Sequence, residues 1–191
     1  MFVLAGPSGV GKGTLVRRLL ELIPDLRVSI SVTTRPPRAT ERDGVDYRFI
    51  SDEEFDRLIE QEELLEWAEI FGHRSGTPTA PVRQALDPGT DVLLELDVQG
   101  ARQVRERVPE AVLILLEPPS LQELERRLRS RGTEDEARLA DRLAKAGWEL
   151  EQRAWFNHVV TNDDVETAAA KVAAIIDSAS QDPSTEGTPH P

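Results

Sequence analysis

The sequence of 191 residues contains no cysteine. It therefore cannot form disulfides, thiolate metal sites or a cysteine nucleophile, which excludes zinc ribbons and thiol enzymes. It also lacks any apolar run near the roughly 18 residues that span a bilayer. The few residues before Gly6 lack the basic segment of a signal peptide. We therefore expect a cytoplasmic protein without a membrane partner.

Positive charge is scarce as well. Lys plus Arg number 23 against 35 Asp plus Glu, a formal net charge of −12, so nonspecific attraction to nucleic acid is not expected. Residues 52–69 carry nine carboxylates and only Arg57 as a cation, and we interpret most of them as a solvated helix face. The only lysines are Lys12, Lys145 and Lys171. An anionic ligand must therefore be bound by local basic clusters.

Short apolar segments alternate with amphipathic segments along most of the chain, a pattern typical of an α/β fold with a central parallel sheet and helices on both faces. The predicted strands are 2–5, 47–50, 64–70, 92–96, 112–116 and 159–160. Four predicted helices are 12–23, 78–86, 99–108 and 164–177. Three more begin at predicted caps, formed by Ser51 with Glu54, by Ser120 with Glu123, and by Thr133 with Glu136, and the last of these runs to about 154.

The turn after the first strand matches the first seven positions of the phosphate-binding P-loop, Gly6-Pro7-Ser8-Gly9-Val10-Gly11-Lys12. In such a loop, backbone N–H groups converge on phosphate oxygens and the lysine neutralises charge between the terminal phosphates. We expect Lys12 to lie on a solvated loop. Gly13 stands where the motif has Ser or Thr, and Thr14 follows one residue late. This order resembles that of adenylate kinases, so the departure is compatible with nucleotide phosphoryl transfer.

Further blocks follow along the chain: Ser31-Val32-Thr33-Thr34-Arg35-Pro36-Pro37-Arg38, Asp46-Tyr47, Glu66-Trp67-Ala68, Gly76-Thr77, Glu95-Leu96-Asp97-Val98-Gln99-Gly100, Arg131-Gly132-Thr133 and Asn162-Asp163-Asp164. In order and spacing, over residues 1 to about 177, these blocks resemble guanylate kinases. The resemblance implies reversible transfer of a phosphoryl group from ATP to GMP, and also to dGMP, giving ADP and GDP. It implies Mg²⁺ with ATP as the cofactor.

The resemblance also implies which residues do the work. ATP would be bound by residues 6–14 with Arg127 and Asn162, while Lys12, Arg131 and Arg142 would be catalytic. GMP would be bound by Ser31, Arg35, Arg38, Tyr47, Glu66, Thr77 and Asp97. Thr14 and Asp97 are candidates for contacts to magnesium through water.

The chemistry of these side chains suits those roles. Two guanidinium groups and a phenol, those of Arg35, Arg38 and Tyr47, can donate to a phosphate monoester. A carboxylate such as Glu66 can accept from both the N1–H and the exocyclic amine of guanine. Asp97 follows a buried strand, at the carboxyl edge of the sheet where ligands of doubly wound folds bind.

By the same resemblance, one domain covers residues 1–177. Its core would be 1–31 and 86–177, with an acceptor-binding insert at about 32–85 and a lid at about 127–145. Residues 178–191 are rich in Ser, Thr and Pro without an apolar period, which predicts a disordered tail.

One departure from the family concerns the acceptor phosphate. Where guanylate kinases commonly have Asn-Tyr-Tyr-Gly, this chain has His73-Arg74-Ser75-Gly76. Ser75 thus replaces a phenol, and we expect Arg74 to compensate. His73 has no carboxylate or second histidine at metal-ligand spacing, so no metal is expected there.

Two alternatives to a guanylate kinase stay open at this point. One is a non-catalytic interaction module on the same scaffold, against which the presence of Lys12, Arg131 and Arg142 argues. The other is a P-loop kinase of another small phosphate ester such as a ribose bisphosphate. Glu66 favours guanine over that substrate, whereas Ser75 keeps it open. The sequence does not indicate an oligomeric state.

Overall fold

The computed structural model describes residues 1–70, 72–87, 89–130 and 136–181. The strands are β1 (Phe2–Ala5), β2 (Arg27–Val28), β3 (Val32–Thr33), β4 (Arg48–Phe49), β5 (Leu64–Ile70), β6 (His73–Pro78), β7 (Val92–Leu96), β8 (Val112–Glu117) and β9 (His158–Thr161). The helices are α1 (Lys12–Leu22), α2 (Asp52–Glu60), α3 (Thr79–Leu86), α4 (Val98–Arg107), α5 (Leu121–Ser130), α6 (Glu136–Glu151) and α7 (Val165–Ser180).

The larger sheet has five parallel strands in the order β2-β7-β1-β8-β9. Side chains of β1 alternate between its two faces. Phe2 and Leu4 pack with α1 and α7, whereas Val3 and Ala5 pack with α4 on the opposite side. Burial on both faces explains why β1 and most of β7 and β8 are apolar. The predicted α/β class with helices on both faces is confirmed.

A second, smaller sheet has the order β4-β3-β6-β5 and packs on α2 through Val32, Phe55 and Leu64. The sequence predicted β5 but not β6. The β6 segment is polar and contains Gly76, a composition that does not favour a strand by itself. It becomes a strand because it pairs with β5 on one side and β3 on the other.

Two helices begin at their predicted capping serines, and a third helix is longer than predicted. Ser51 and Ser120 each accept, at 3.1 Å, a backbone N–H three residues later, which confirms both serines as N-caps, while Glu54 and Glu123 bond arginines. The prediction that the chain leaves its last helix at residue 177 is wrong, because α7 continues to Ser180. The Ser180 hydroxyl bonds the Asp91 carboxylate at 2.7 Å and so ties this extra turn to the core. The rest of the predicted tail, 182–191, lies outside the described residues.

Helices α5 and α6 form a hairpin packed through Leu124, Leu128, Leu139 and Ala146. Helix α6 ends at Glu151, and the last residues predicted as helix instead form a 3₁₀ turn. The proposed cap at Thr133 lies outside the described residues. Within the described part of the chain, every helix is too short or too polar to cross a membrane.

Candidate active site

A cavity of about 600 Å³ lies where the P-loop, the end of β7, α6 and the smaller sheet meet. Its lining includes most of the predicted site residues, namely Gly6, Pro7, Ser8, Gly9, Gly11, Lys12, Gly13, Thr14, Ser31, Arg35, Arg38, Tyr47, Glu66, Asp97 and Arg142. The P-loop forms one half, and the smaller sheet forms the other. We refer to these as the donor half and the acceptor half.

Backbone conformation shapes the donor half. Gly9 and Gly11 have φ of 87° and 103°, in the left-handed region that favours glycine. A Cβ on Gly11 would lie 2.6 Å from Asn162 Nδ2, and one on Gly9 would lie 2.7 Å from a Leu128 methyl. Both positions therefore exclude a side chain on two independent grounds. The loop leads directly into the N-terminus of α1, where helical N–H groups favour an anion.

Lys12 is the first residue of α1, and its ammonium lies over the loop. Nζ donates to the carbonyl oxygen of Gly6 at 2.6 Å and to that of Pro7 at 3.4 Å. Desolvation lowers the pKa of Lys12, while Glu95, Glu149 and Asp97 partly oppose that effect. The expectation of a solvated position holds only in part: Lys12 is half-buried, and its ammonium lies in the cavity wall against the loop.

Two predicted ATP ligands lie behind the loop. Asn162 Nδ2 donates to the carbonyl of Val10 at 2.8 Å, and the Arg127 guanidinium donates to the same carbonyl at 3.2 Å and to that of Asn162 at 3.0 Å. Arg127 also bonds Glu123 at 2.8 Å. None of Val10, Arg127 and Asn162 lines the cavity. The contacts they make hold the loop in shape.

Glu66 lies deep in the acceptor half and is only 5% exposed. Its Oε1 accepts from the Thr77 hydroxyl at 2.7 Å. Burial raises its pKa to about 7, and the Thr77 hydrogen bond opposes this shift. A Cβ on Gly100 would lie 2.6 Å from Oε2, so α4 approaches the carboxylate closely only because it has glycine there. Gln103 anchors the strand to α4, donating to the Trp67 carbonyl at 2.7 Å.

Asp97 has both carboxylate oxygens engaged. Oδ1 caps α4 by accepting the Gly100 N–H at 2.8 Å, and Oδ2 lies 3.0 Å from Lys145 Nζ of α6. Lys145 also lies 3.9 Å from Glu149, which is 2% exposed and whose pKa is raised by desolvation. Asp97 thus connects the end of the central sheet to the helical hairpin.

The predicted phosphate-binding group occupies the loop between β3 and β4. Arg35 forms a two-point ion pair with Glu41, at 2.6 and 2.7 Å, and its guanidinium stacks 4.9 Å from the centre of the Tyr47 ring. Arg38 is largely exposed, and its guanidinium lies 3.7 Å from Glu41. Glu41 therefore preorganises both arginines and neutralises one of their two charges.

Arg74 does not point into the cavity. Its guanidinium lies on the opposite face of the sheet, where it pairs with Asp52 at 2.7 Å and with Asp56 and stacks 4.9 Å from the centre of the Phe55 ring. Successive strand residues face opposite sides, so Ser75 faces the cavity instead. The Ser75 hydroxyl donates to Thr33 Oγ1 at 2.8 Å. The expectation that Arg74 compensates for the missing phenol is wrong.

Sequence reasoning missed several cavity residues, among them Glu95, Lys145, Glu149 and His73. Glu95 faces the P-loop, and desolvation raises its pKa, an effect that Lys12 and Arg17 oppose. Its signal was a carboxylate within the apolar run of β7. Lys145 was one of only three lysines, and Glu149 lies one helical turn beyond it. Arg131 is outside the described residues.

Hard cations such as Mg²⁺ prefer oxygen ligands and keep several waters. Thr14, Glu95 and Asp97 supply such oxygens to the donor side of the cavity. Asp97 already bonds Gly100 and Lys145, which suits a contact through water. Across the described residues, no three carboxylates or histidines converge into a metal cage. This donor set fits a hydrated cation carried chiefly by a phosphate ligand.

Comparison with known proteins gives consistent results. The family model described as guanylate kinase matches residues 1–179. A guanylate kinase from a Synechococcus species is 52% identical over 92% of this chain and 81% of its own length. One from Nocardia farcinica is 52% identical over 92% of both chains. The crystal structure of guanylate kinase from Anaplasma phagocytophilum has a TM-score of 0.80 at 34% identity and covers 96% of this chain and 87% of its own.

Proposed function

Since the chain belongs to the guanylate kinase family and is an ATP:GMP phosphotransferase, we propose how its residues divide that work. The donor half binds the triphosphate of ATP, and the acceptor half binds GMP, and also dGMP. The γ-phosphoryl group moves in line to the GMP phosphate with no covalent enzyme intermediate. Catalysis then rests on positioning and on electrostatic stabilisation.

In the donor half, backbone N–H groups within residues 6–14 other than Pro7 bind the phosphates, and Lys12 supplies charge to the transferred group. The position of the half-buried Lys12 in the cavity wall, where desolvation lowers its pKa, supports this role, because a charge acts more strongly away from bulk water. Asn162 and Arg127 act indirectly by holding the Val10 carbonyl. Arg142 of α6 faces the cavity and supplies a further cation. Arg131 has the same role by its match to the family motif.

In the acceptor half, Glu66 reads guanine. Thr77 fixes Oε1, and the carboxylate accepts from the N1–H and the amine of the base. Ser31 and Asp97 line the same region. The phosphate of GMP is bound by Arg35, Arg38 and Tyr47, which Glu41 and the ring stacking hold in place. The observation that carries this proposal is the buried Glu66–Thr77 pair in the same cavity as the P-loop.

We propose Mg²⁺ as the divalent cation. It would be held by the phosphates of ATP, with Thr14, Glu95 and Asp97 contacting its water shell, and when bound it would neutralise phosphate charge. We also propose that the smaller sheet, within about 32–85, is the acceptor-binding insert, and that the α5–α6 hairpin, about 127–145, is a lid that excludes water. A cytoplasmic location within purine nucleotide metabolism fits these substrates.

The two alternatives have less support. An interaction module would not need Lys12 placed over a P-loop, and a ribose bisphosphate offers Glu66 only hydroxyl donors, whereas guanine offers the adjacent N1–H and amine. The family and the named relatives likewise favour guanylate kinase. ADP release from purified protein, ATP and Mg²⁺ should be fast with GMP, measurable with dGMP and near background with AMP, CMP or UMP. Equal rates with AMP or with a ribose bisphosphate would contradict the proposal.

A further inference from the structure

Strand β6 presents alternate side chains to the cavity. His73 and Ser75 line the acceptor half, and the next residue in this alternation, Thr77, bonds Glu66. The three residues therefore lead from the proposed base reader toward the cavity rim. His73 at the rim is exposed, so its imidazole is open to a ligand.

The pairing of β6 with β3 sets what lies beside His73. Thr33 pairs with Ser75, and the Thr34 N–H donates to the Arg74 carbonyl at 2.9 Å. Strand β3 ends at Thr33 and the chain bends at Thr34 and Arg35, and Arg35 lines the same cavity as His73. The imidazole thus belongs to the same end of the cavity as the proposed phosphate-binding group.

The proposed phosphate-binding group, Arg35, Arg38 and Tyr47, has few hydrogen-bond donors and little net positive charge for a phosphate monoester. Arg35 and Arg38 share Glu41, which leaves a net charge of about +1, whereas a phosphate monoester carries about −1.5 to −2 near pH 7. Tyr47 is the only tyrosine in the whole sequence. No other phenol is available, Ser75 donates to Thr33, and Arg74 faces α2.

We infer that His73 is a further ligand of the acceptor phosphate, donating an imidazole N–H to a monoester oxygen at the position left short by Ser75 and Arg74. Histidine suits this place because it gives a donor when neutral and a donor with charge when protonated. The inference rests on the proposed GMP site. It makes the acceptor phosphate, not the base, the part of GMP that His73 recognises.

Several charged groups face this region and bear on its pH dependence. Arg35, Arg38, Glu41 and Tyr47 lie on the loop between β3 and β4, and Asp52 lies at the start of α2. The pKa of Asp52 is lowered chiefly by Arg74, with a smaller contribution from His73. A bound phosphate adds negative charge, which favours protonated His73. A protonated imidazole adds charge to its hydrogen bond, so the contribution of His73 to GMP affinity should be larger at pH 6.5 than at pH 8.5.

Isothermal titration without ATP or metal tests the inference on the full chain. GMP and guanosine are titrated at pH 6.5 and 8.5 into the wild type, His73→Asn and His73→Arg, with Arg74→Ala as the control on the opposite face. The asparagine amide is shorter than the imidazole and never charged, so His73→Asn should weaken GMP about tenfold at pH 6.5, as for loss of a charged hydrogen bond, and about threefold or less at pH 8.5. His73→Arg should bind GMP well at both pH values.

Guanosine separates the phosphate from the base. None of the His73 variants should change guanosine affinity, and titration of Glu66 or of the phosphate affects wild type and variant alike, so it cancels in their ratio. Equal GMP affinity of wild type and His73→Asn at both pH values would overturn the inference while leaving the GMP site intact. An equal loss of guanosine binding would also overturn it. A wild type that binds neither compound would overturn the proposed function as well.

Discussion

The two halves of the cavity are made from different parts of the polypeptide. The donor half is mainly backbone: a short loop between β1 and α1, fixed by glycine conformations and by Asn162 and Arg127 behind it. The acceptor half is made of side chains on a small sheet, where pairing decides which of them face inward. A backbone site tolerates few changes in its loop, whereas a side-chain site can exchange ligands one at a time.

Departures from the expected sequence patterns differ in kind between the two halves. The P-loop departs from its general motif at Gly13, on which a Cβ would have no contact closer than 3.9 Å. The acceptor half loses a phenol at Ser75 and has a histidine beside it. Each exchange there alters one donor and leaves the sheet intact, because the backbone pairing of β6 with β3 and β5 does not depend on those side chains.

The largest expected effect is on the donor half. Lys12→Met removes the charge that we propose acts on the transferred group, so kcat should fall by ~10² or more, the size typical of one lost electrostatic donor. Desolvation disfavours the charged ammonium while its hydrogen bonds to Gly6 and Pro7 favour it, so Lys12→Met should change the Tm little. Steady-state kinetics and thermal melts check both points.

Lys171→Met is the matched control for that change. Lys171 is exposed on α7, so its substitution should leave kcat within about twofold of wild type, as for most surface changes. A folded Lys12→Met enzyme that keeps more than about half of the wild-type kcat would show that the loop is not catalytic.

Glu66→Gln should affect the acceptor half alone. The glutamine amide offers guanine one oxygen acceptor, and its NH₂ group faces a second N–H donor of the base. The unpaired buried groups should cost ~1–3 kcal/mol of binding free energy. We expect kcat/KM for GMP to fall roughly 10- to 100-fold, while the Kd of ATP stays nearly unchanged. Titrations of each nucleotide alone distinguish the two halves. Equal weakening of ATP and GMP would show that Glu66 does not read the base.

The same substitution should stabilise the free protein. The pKa of Glu66 is about 7 when folded, above its ordinary 4.5, so its ionised form destabilises the fold above pH 7. That cost has an upper bound of about 3 kcal/mol, and it disappears as pH falls through 7 toward 4.5 because the folded protein then takes up a proton. Glu66→Gln should therefore raise the Tm at pH 8 and change it much less at pH 5. A loss of Tm at pH 8 would contradict this.

These halves also differed in how well the sequence predicted them. The strand, loop and helix of the donor half are contiguous, so apolar pattern and motif located them together. The acceptor half depends on pairing between distant segments, and β6 carried no strand pattern of its own. Without that strand, nothing separated inward Ser75 from outward Arg74. Lys145 and Glu149 were missed for a similar reason, since only packing brings α6 to the end of β7.

Ser75→Tyr tests whether the acceptor half can regain its phenol. A tyrosine hydroxyl that donates to the acceptor phosphate should improve the binding free energy of GMP by up to ~1.5 kcal/mol, which lowers its Kd roughly tenfold. His73→Asn should then matter less than in the wild type, because both groups would serve one phosphate. A double-mutant cycle on the Kd of GMP measures this coupling. No change on Ser75→Tyr alone would indicate that the phosphate lies elsewhere.

Arg74→Ala should have the smallest effect on GMP, within about twofold. Its guanidinium pairs with Asp52 and Asp56 and covers the Phe55 ring, so its loss should lower the Tm instead. Because Arg74 and Ser75 face opposite sides of β6, Arg74→Ala and Ser75→Tyr should be additive in the free energy of GMP binding. If Arg74→Ala weakens GMP in the wild type but not in the Ser75→Tyr background, the guanidinium reaches the phosphate in the complex. The Arg74 side chain would then leave the α2 side of β6 and reach the cavity when GMP binds.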